Sequence, residues 1–375
     1  MKIICSGHMV RYPLAGQSWH HLQYLVGLKR LGHEVIFFEH FGWPDACYDP
    51  VTNTLSPDPT YGIAYVNELL RPHGLENSWC YLSEDGSSHG LSREALHQAC
   101  READLYLNIS NINWIPELED CRCRVLIDTD PVFTQIGAHG MGGPFTRYHR
   151  LFTYGENVHR PGCEMPTAHM SWLPTRQPVV PDCWPVSPGQ AEAPFTTIMN
   201  SMSFAPRRYQ GRFYGQKDIE FEPFLSLPLQ VEQPMEIALN APKEVRKRAV
   251  EQGWRLADPR KVTQTPTVYQ SYLSSSHAEF SVAKHGYVST SCGWFSDRST
   301  GYLATGRPVV VQDTGFSRVL PTGLGLLSFS THTEALQCIE KLQNNYDDHC
   351  RAARQLVEEY FDAPKVLTDL LEQCF

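Results

Sequence analysis

Residues 277–315 read HAEFSVAKHGYVSTSCGWFSDRSTGYLATGRPVVVQDTG. Glu279-Phe280-Ser281-Val282 predicts the end of a buried strand. Residues 298–306 predict a helix closed by Gly306, because a residue without Cβ accepts the left-handed conformation needed at a helix end. Pro308-Val309-Val310-Val311 predicts the next strand, with proline at its first position, where it is tolerated. Asp313-Thr314-Gly315 then turns the chain. Strand, helix and strand in this order build a parallel sheet with right-handed crossovers. Residues 293–299 lie before a helix whose first turn carries N–H groups without intrahelical partners, and the helix dipole suits a phosphate there. Ser296 and Ser299 add hydroxyl donors, and Arg298 adds a planar cation that matches phosphate oxygens. The same spacing also reads as an ordinary capped helix after a loop.

The alternation extends in both directions. Lys2-Ile3-Ile4-Cys5 predicts a first strand, followed by a loop with Gly7, Pro13 and Gly16. Trp19, Leu22, Leu25, Leu28 and Leu31 recur at helical spacing, with Ser18 as the expected N-cap and Gly32 as the stop. Val35-Ile36-Phe37-Phe38 predicts a second, fully buried strand. A helix is expected over 92–102, with strands at 105–107, 125–127 and 151–153. Six prolines between Pro174 and Pro194 forbid a helix interior or a central strand and mark a linker. Beyond it, a strand is expected at 196–199 and helices at 243–253, 333–344, 349–361 and 363–374. The expected organisation is a first α/β domain over 1–175, a linker over 176–195 and a second α/β domain over 196–350. Helices over 351–375 would be free to pack back on the first domain.

The 375 residues are 42% hydrophobic and 19% charged, a globular balance that excludes wholesale disorder. A formal charge of −9 argues against a protein built to grip a nucleic-acid backbone. No window approaches ~20 apolar residues, and the chain opens on a strand without a secretory signal; the expectation is a cytoplasmic protein without an integral membrane segment. Of 12 cysteines, the only close pair is Cys121-x-Cys123, so reduced, mostly buried thiols are expected. HExxH, a P-loop and a Gly-x-Ser-x-Gly elbow are absent, which leaves metalloprotease, P-loop and serine-hydrolase readings without support.

The run Tyr302-Leu303-Ala304-Thr305-Gly306-Arg307-Pro308-Val309-Val310 resembles the Leu-Ala-x-Gly-x-Pro-Val-Val segment of the nucleotide-sugar half of GT-B glycosyltransferases. The Gly32-His33-Glu34-Val35 turn is also frequent in that superfamily. The resemblance implies two Rossmann-like parallel-sheet domains facing across a cleft, with the donor on the second. By it, Gly293, Ser296, Arg298 and Ser299 would hold the diphosphate of a nucleoside diphosphate sugar. Asp313, Thr314 and Gly315 would face the sugar. Arg207, in the loop after the first strand of the second domain, is a candidate for a phosphate or base contact, or half of a solvated pair with Arg208. Two departures stand out. Many retaining members carry a Glu where this chain has Gly301, and some inverting members carry a His where it has Gln17.

The acceptor would sit on the first domain, near His8, Gln17, His21 and Asp128, with Glu156-Asn157 as weaker candidates. An inverting transfer needs a base in reach of the acceptor. Asp130 ranks first, at a strand end fixed by Pro131, and His20 second. Asp128-x-Asp130 also matches the metal-binding signature of the GT-A fold, whose carboxylates hold a divalent cation, but that leaves the second-domain phosphate loop unexplained. The expected activity is sugar transfer from a nucleoside diphosphate sugar to an acceptor nucleophile in the interdomain cleft, without a metal or other cofactor. The alternatives are a nucleotide-sugar epimerase of the same fold, or a non-catalytic nucleotide- or sugar-binding module, which Gly301 favours.

Overall fold

The computed structural model describes residues 1–137, 139–140 and 142–375. Two parallel sheets dominate it. The first has eight strands in the spatial order Leu173–Pro174, Arg150–Thr153, Cys123–Asp128, Leu105–Ile109, Lys2–Ser6, Glu34–His40, Trp79–Leu82 and Ser88–Gly90. Only the last pair is antiparallel. The second has six strands, all parallel: Arg255–Ala257, Met235–Asn240, Phe195–Asn200, Ala278–Ser281, Val309–Gln312 and Leu326–Phe329. In each sheet the chain starts in the middle, builds outward to one side, and returns to build the other. Strand order therefore reverses beside Lys2–Ser6 in the first sheet and beside Phe195–Asn200 in the second. Such switch points leave a crevice at the carboxyl ends of the strands.

The central strands are buried on both faces, as Ile3, Ile4, Val309 and Val310 show, which is why they read as continuous apolar runs. The first helix, Ala15–Arg30, starts earlier than its periodicity predicts. Ser18 is not its N-cap; its hydroxyl donates back to the Leu14 carbonyl. The start is set from outside, because the Ala15 N–H donates to the Thr263 carbonyl of the second domain at 2.9 Å. The strands Trp79–Leu82 and Ser88–Gly90 and the helices Thr60–Leu70 and Pro266–Ser274 went unread in the sequence.

The proline-rich segment is fastened to the first helix. Gln23 Oε1 accepts from the Val180 N–H and from Trp184 Nε1, and the Trp184 ring lies 4.8 Å from that of Trp19. The final helix, Ala363–Glu372, packs on Ala15–Arg30 at Gly27, where a Cβ would stand 2.5 Å from Leu367 Cδ1. The twelve cysteines are free, eight of them buried. No helix among the described residues is long and apolar enough to cross a membrane.

Candidate functional site

The two switch points face each other across a cleft. From the first domain, the loop after Lys2–Ser6 is shaped by one buried carboxylate. Glu39 accepts from the N–H groups of Met9, Val10 and Arg11 at 2.7–2.9 Å and from Arg11 Nε at 2.9 Å. Both side chains are sealed, Glu39 at 0% and Arg11 at 1% exposure. This clamp fixes the chain that carries His8 and Tyr12.

His8, Gln17, His21 and His20 do lie together. His8 Nε2 pairs with the Gln17 amide at 2.6 Å, and the His8 N–H donates to His21 Nε2. Neighbouring imidazole centroids are 5.0–5.1 Å apart. Burial pushes the His8 pKa down to about 3 and that of His21 well below the usual range, so these rings are neutral. His20 is also lowered by burial, opposed by the Asp297 carboxylate. Its Nδ1 stands 3.9 Å from Asp297 Oδ2, across the cleft, and its Nε2 is buried without a partner.

The two aspartates have other roles than those expected. Asp128 is fully buried. It accepts from Gln135 Nε2, Thr153 Oγ1 and the Asp130 N–H, so it shapes the turn and is closed to an acceptor or a cation. Asp130 reaches into the second domain, where Lys284 Nζ lies 2.8 Å from one carboxylate oxygen and the Tyr287 hydroxyl donates to the other. With an ammonium and a phenol on its two oxygens it tethers the domains; it is not a free base. Among the described residues, no group of three or more His, Cys, Asp or Glu side chains is placed to hold a metal ion.

The second domain also corrects the expected donor set. Gly293 and Gly315 face Asn157 of the first domain, not the open cleft. Asn157 Nδ2 donates to the carbonyls of Ser291 and Gly315, and its backbone N–H to Cys292. Both glycines have positive φ, and a Cβ on either would stand within 3.0 Å of Asn157 atoms. Asp313 accepts from the Gly315 N–H and Ser317 Oγ, capping the turn Phe316–Arg318. Thr314 Oγ1 donates to the Trp294 carbonyl. Arg207 sits exposed on a hairpin, Arg207–Tyr209 with Arg212–Tyr214, anchored to the first domain by Arg212 and Glu164. Ser296 and Ser299 line a small cavity with Thr314 and Gln312, and Ser299 Oγ there has no partner.

Arg298 lies at the second switch point, with its guanidinium turned inward. Nε donates to Glu279 Oε1 at 2.7 Å and Nη1 to the Ile198 carbonyl at 2.7 Å. Glu279 is fully buried, while 12% of the Arg298 side chain stays exposed. The group that sequence reading missed is Lys217. It opens the helix Lys217–Phe221, tied to the end of Phe195–Asn200 by the Asp218 N–H donating to the Ser201 carbonyl. Burial, then the positive charges of Arg298 and Lys284, push its pKa down to about 7. The Glu279 and Asp297 carboxylates oppose the shift without cancelling it, and a lysine so depressed marks a candidate functional site. Nothing in Gly215-Gln216-Lys217-Asp218 announces this; the only signal is its place just past the hairpin that follows the first strand of the second sheet.

A cleft of about 850 Å³ opens at the strand ends of the second sheet and is lined in part by Ile198, whose carbonyl holds Arg298. Tyr12, Leu14, Tyr48 and Asn53 form one wall; the other includes Ile198, Asn200, Asn240, Asp258 and Arg260.

No family model and no curated protein matches the chain. Solved structures do. AviGT4, a glycosyltransferase involved in avilamycin A biosynthesis, is similar over 100% of this chain and 96% of its own, at 13% identity and a TM-score of 0.56. An α-glucosyltransferase in complex with UDP is similar over 99% of both chains, at 9% identity and a TM-score of 0.60. Anabaena HepE in complex with UDP and glucose matches over 100% of this chain and 99% of its own, at 12% identity and a TM-score of 0.57. The chain has the GT-B fold that the sequence motif implied.

Proposed function

We propose that this protein is a glycosyltransferase that binds a nucleoside diphosphate sugar in the interdomain cleft and transfers the sugar without a metal. One observation carries this reading: Lys217 and Arg298, with the Lys284 charge nearby, gather at the carboxyl end of Phe195–Asn200, the strand whose Ile198 and Asn200 also line an 850 Å³ cleft. Breaking the glycosidic bond loads negative charge onto the leaving diphosphate. Two cations and the free N–H groups at the start of the helix Asp297–Ala304 would meet that charge. The likeness to glycosyltransferases, one in complex with UDP and one with UDP and glucose, supports the same reading. His20 takes precedence over Asp130 as the base, since its Nε2 is unpartnered and burial keeps it neutral.

The test is calorimetry with UDP, GDP and dTDP, with and without EDTA, followed by an assay of donor turnover. Binding and turnover that survive EDTA are expected. Activity lost to EDTA and restored by Mg²⁺ or Mn²⁺ would sink the metal-free mechanism.

Lys217 adds a pH dependence. Its pKa of about 7 must rise when a diphosphate binds, because a nearby anion favours the charged form. Well below pH ~7 the lysine is charged with or without ligand, and it adds no pH dependence of its own. Above it, binding takes up a proton, and affinity falls by up to about tenfold per pH unit until the bound-state pKa is reached. Calorimetry at pH 8 in buffers of different ionisation enthalpy measures this directly. Proton uptake near zero at pH 8 would remove Lys217 from the phosphate site.

A further inference from the structure

The first-domain wall of the cleft has a chemistry that phosphate binding does not use. Tyr12 and Tyr48 run nearly parallel, 6.3 Å between centroids and 19° between planes. Trp43 continues the row 6.4 Å from Tyr12 and has Arg11 5.1 Å from its ring centroid. Tyr12, Leu14, Tyr48 and Asn53 carry no charge into the cleft. The opposite wall, at the strand ends of the second sheet, presents the amides of Asn200 and Asn240, with Asp258 and Arg260. One wall therefore offers aromatic faces and the other offers hydrogen-bonding edges.

A planar heterocycle with a polar rim fits that division. Its ring buries against tyrosine while its N–H and C=O groups meet the amides. The position agrees as well. Ile198 lines this cleft, and its carbonyl accepts from Arg298. The heterocycle end and the phosphate end of one ligand would thus meet at the same strand terminus.

We propose that Tyr12 and Tyr48 of the first domain form the stacking wall for the donor nucleobase, so that the nucleoside pocket is shared between both domains. This rests on the reading of Lys217 and Arg298 as the diphosphate site. It assigns to the first domain a part in donor selection in addition to acceptor binding. It also makes donor affinity sensitive to how the domains are held, because Tyr12 rides on the first-domain loop that Glu39 clamps.

The experiment is calorimetry with UDP, GDP and inorganic pyrophosphate on the full chain and on Tyr12→Ala, Tyr48→Ala and Tyr12→Phe. Tyr12→Ala should weaken the better-bound nucleotide by about 5- to 150-fold, the range for losing one aromatic stack under a base. Pyrophosphate affinity should stay within about twofold, and Tyr12→Phe, which keeps the ring, should bind nucleotide almost normally. Equal losses for nucleotide and pyrophosphate would overturn the assignment, as would unchanged nucleotide binding with a raised acceptor KM. A parent chain that binds pyrophosphate but no nucleotide also overturns it and leaves the phosphate reading standing; one that binds neither removes that reading itself. Trp43, exposed beside Tyr12, gives a readout that does not depend on how the tyrosine variants fold. Nucleotide should change tryptophan emission, and Trp43→Phe should remove part of that change. If it removes none, the wall is not where the base lies.

Discussion

Replacing Glu39 by alanine is expected to lower folding stability by about 3–5 kcal/mol, the cost of stripping one partner from a buried ion pair. The variant leaves Arg11 charged at 1% exposure, with a 3.3 Å hydrogen bond to Asn113 Oδ1 and the face of Trp43 left to it. It also leaves the N–H groups of Met9, Val10 and Arg11 without their acceptor. A domain is usually stable by only about 5–15 kcal/mol, so this one carboxylate holds a large share of the first domain's margin. Two comparisons isolate the cause. Glu39→Gln keeps acceptor oxygen in place and should lose less. Arg11→Met combined with Glu39→Leu removes both charges and should recover only the part of the loss that comes from the stranded guanidinium, because the three N–H groups still lack an acceptor. Chemical denaturation followed by a first-domain probe measures all three, because a two-domain chain need not unfold in one step. A loss under about 1 kcal/mol for Glu39→Ala would mean that water reaches Arg11 and the clamp is not sealed.

Glu39 also shows where sequence reading stops. In Glu34–His40 it is a single acid at the end of an apolar strand, and nothing local says that it will accept four hydrogen bonds from a loop nearly thirty residues upstream. The strands themselves were legible, because burial on both faces leaves an unbroken apolar run, and Gly32 and Gly306 mark helix ends with positive φ. The motif around Ala304 and Gly306 was enough to point to the fold. The histidines were legible as a cluster because they share one loop and one helix turn. Pairings that close the cleft were not legible, since their partners lie far apart in sequence. Asp130 finds Lys284 across 154 positions. Asn157 occupies the approach to Gly293 and Gly315 from 136 and 158 positions away, and so turns an apparent phosphate loop into a domain contact. The start of the first helix is set by Thr263 in the same way.

Arg298→Ala is expected to do two separable things. The first is structural. Glu279 is fully exposure-free, its Oε1 is held by Arg298, and its Oε2 has no other partner. Removing the guanidinium strands that carboxylate and should cost about 3–5 kcal/mol of second-domain stability. The second is functional. About 12% of the side chain stays exposed, and if it bonds the diphosphate as proposed, losing that hydrogen bond to a charged group costs about 1.5–3 kcal/mol of nucleotide affinity. Measured alone, Arg298→Ala would confuse the two, since a partly unfolded chain also binds weakly. Adding Glu279→Gln resolves them, because the amide carries no charge to be stranded. The double variant should regain most of the lost stability and still bind nucleoside diphosphate roughly tenfold to a hundredfold more weakly than the parent. Nucleoside without phosphates should bind the double variant and the parent alike. Should the double variant recover both stability and nucleoside diphosphate affinity, Arg298 would be a structural partner of Glu279, and Lys217 would be left as the side-chain cation for the leaving group.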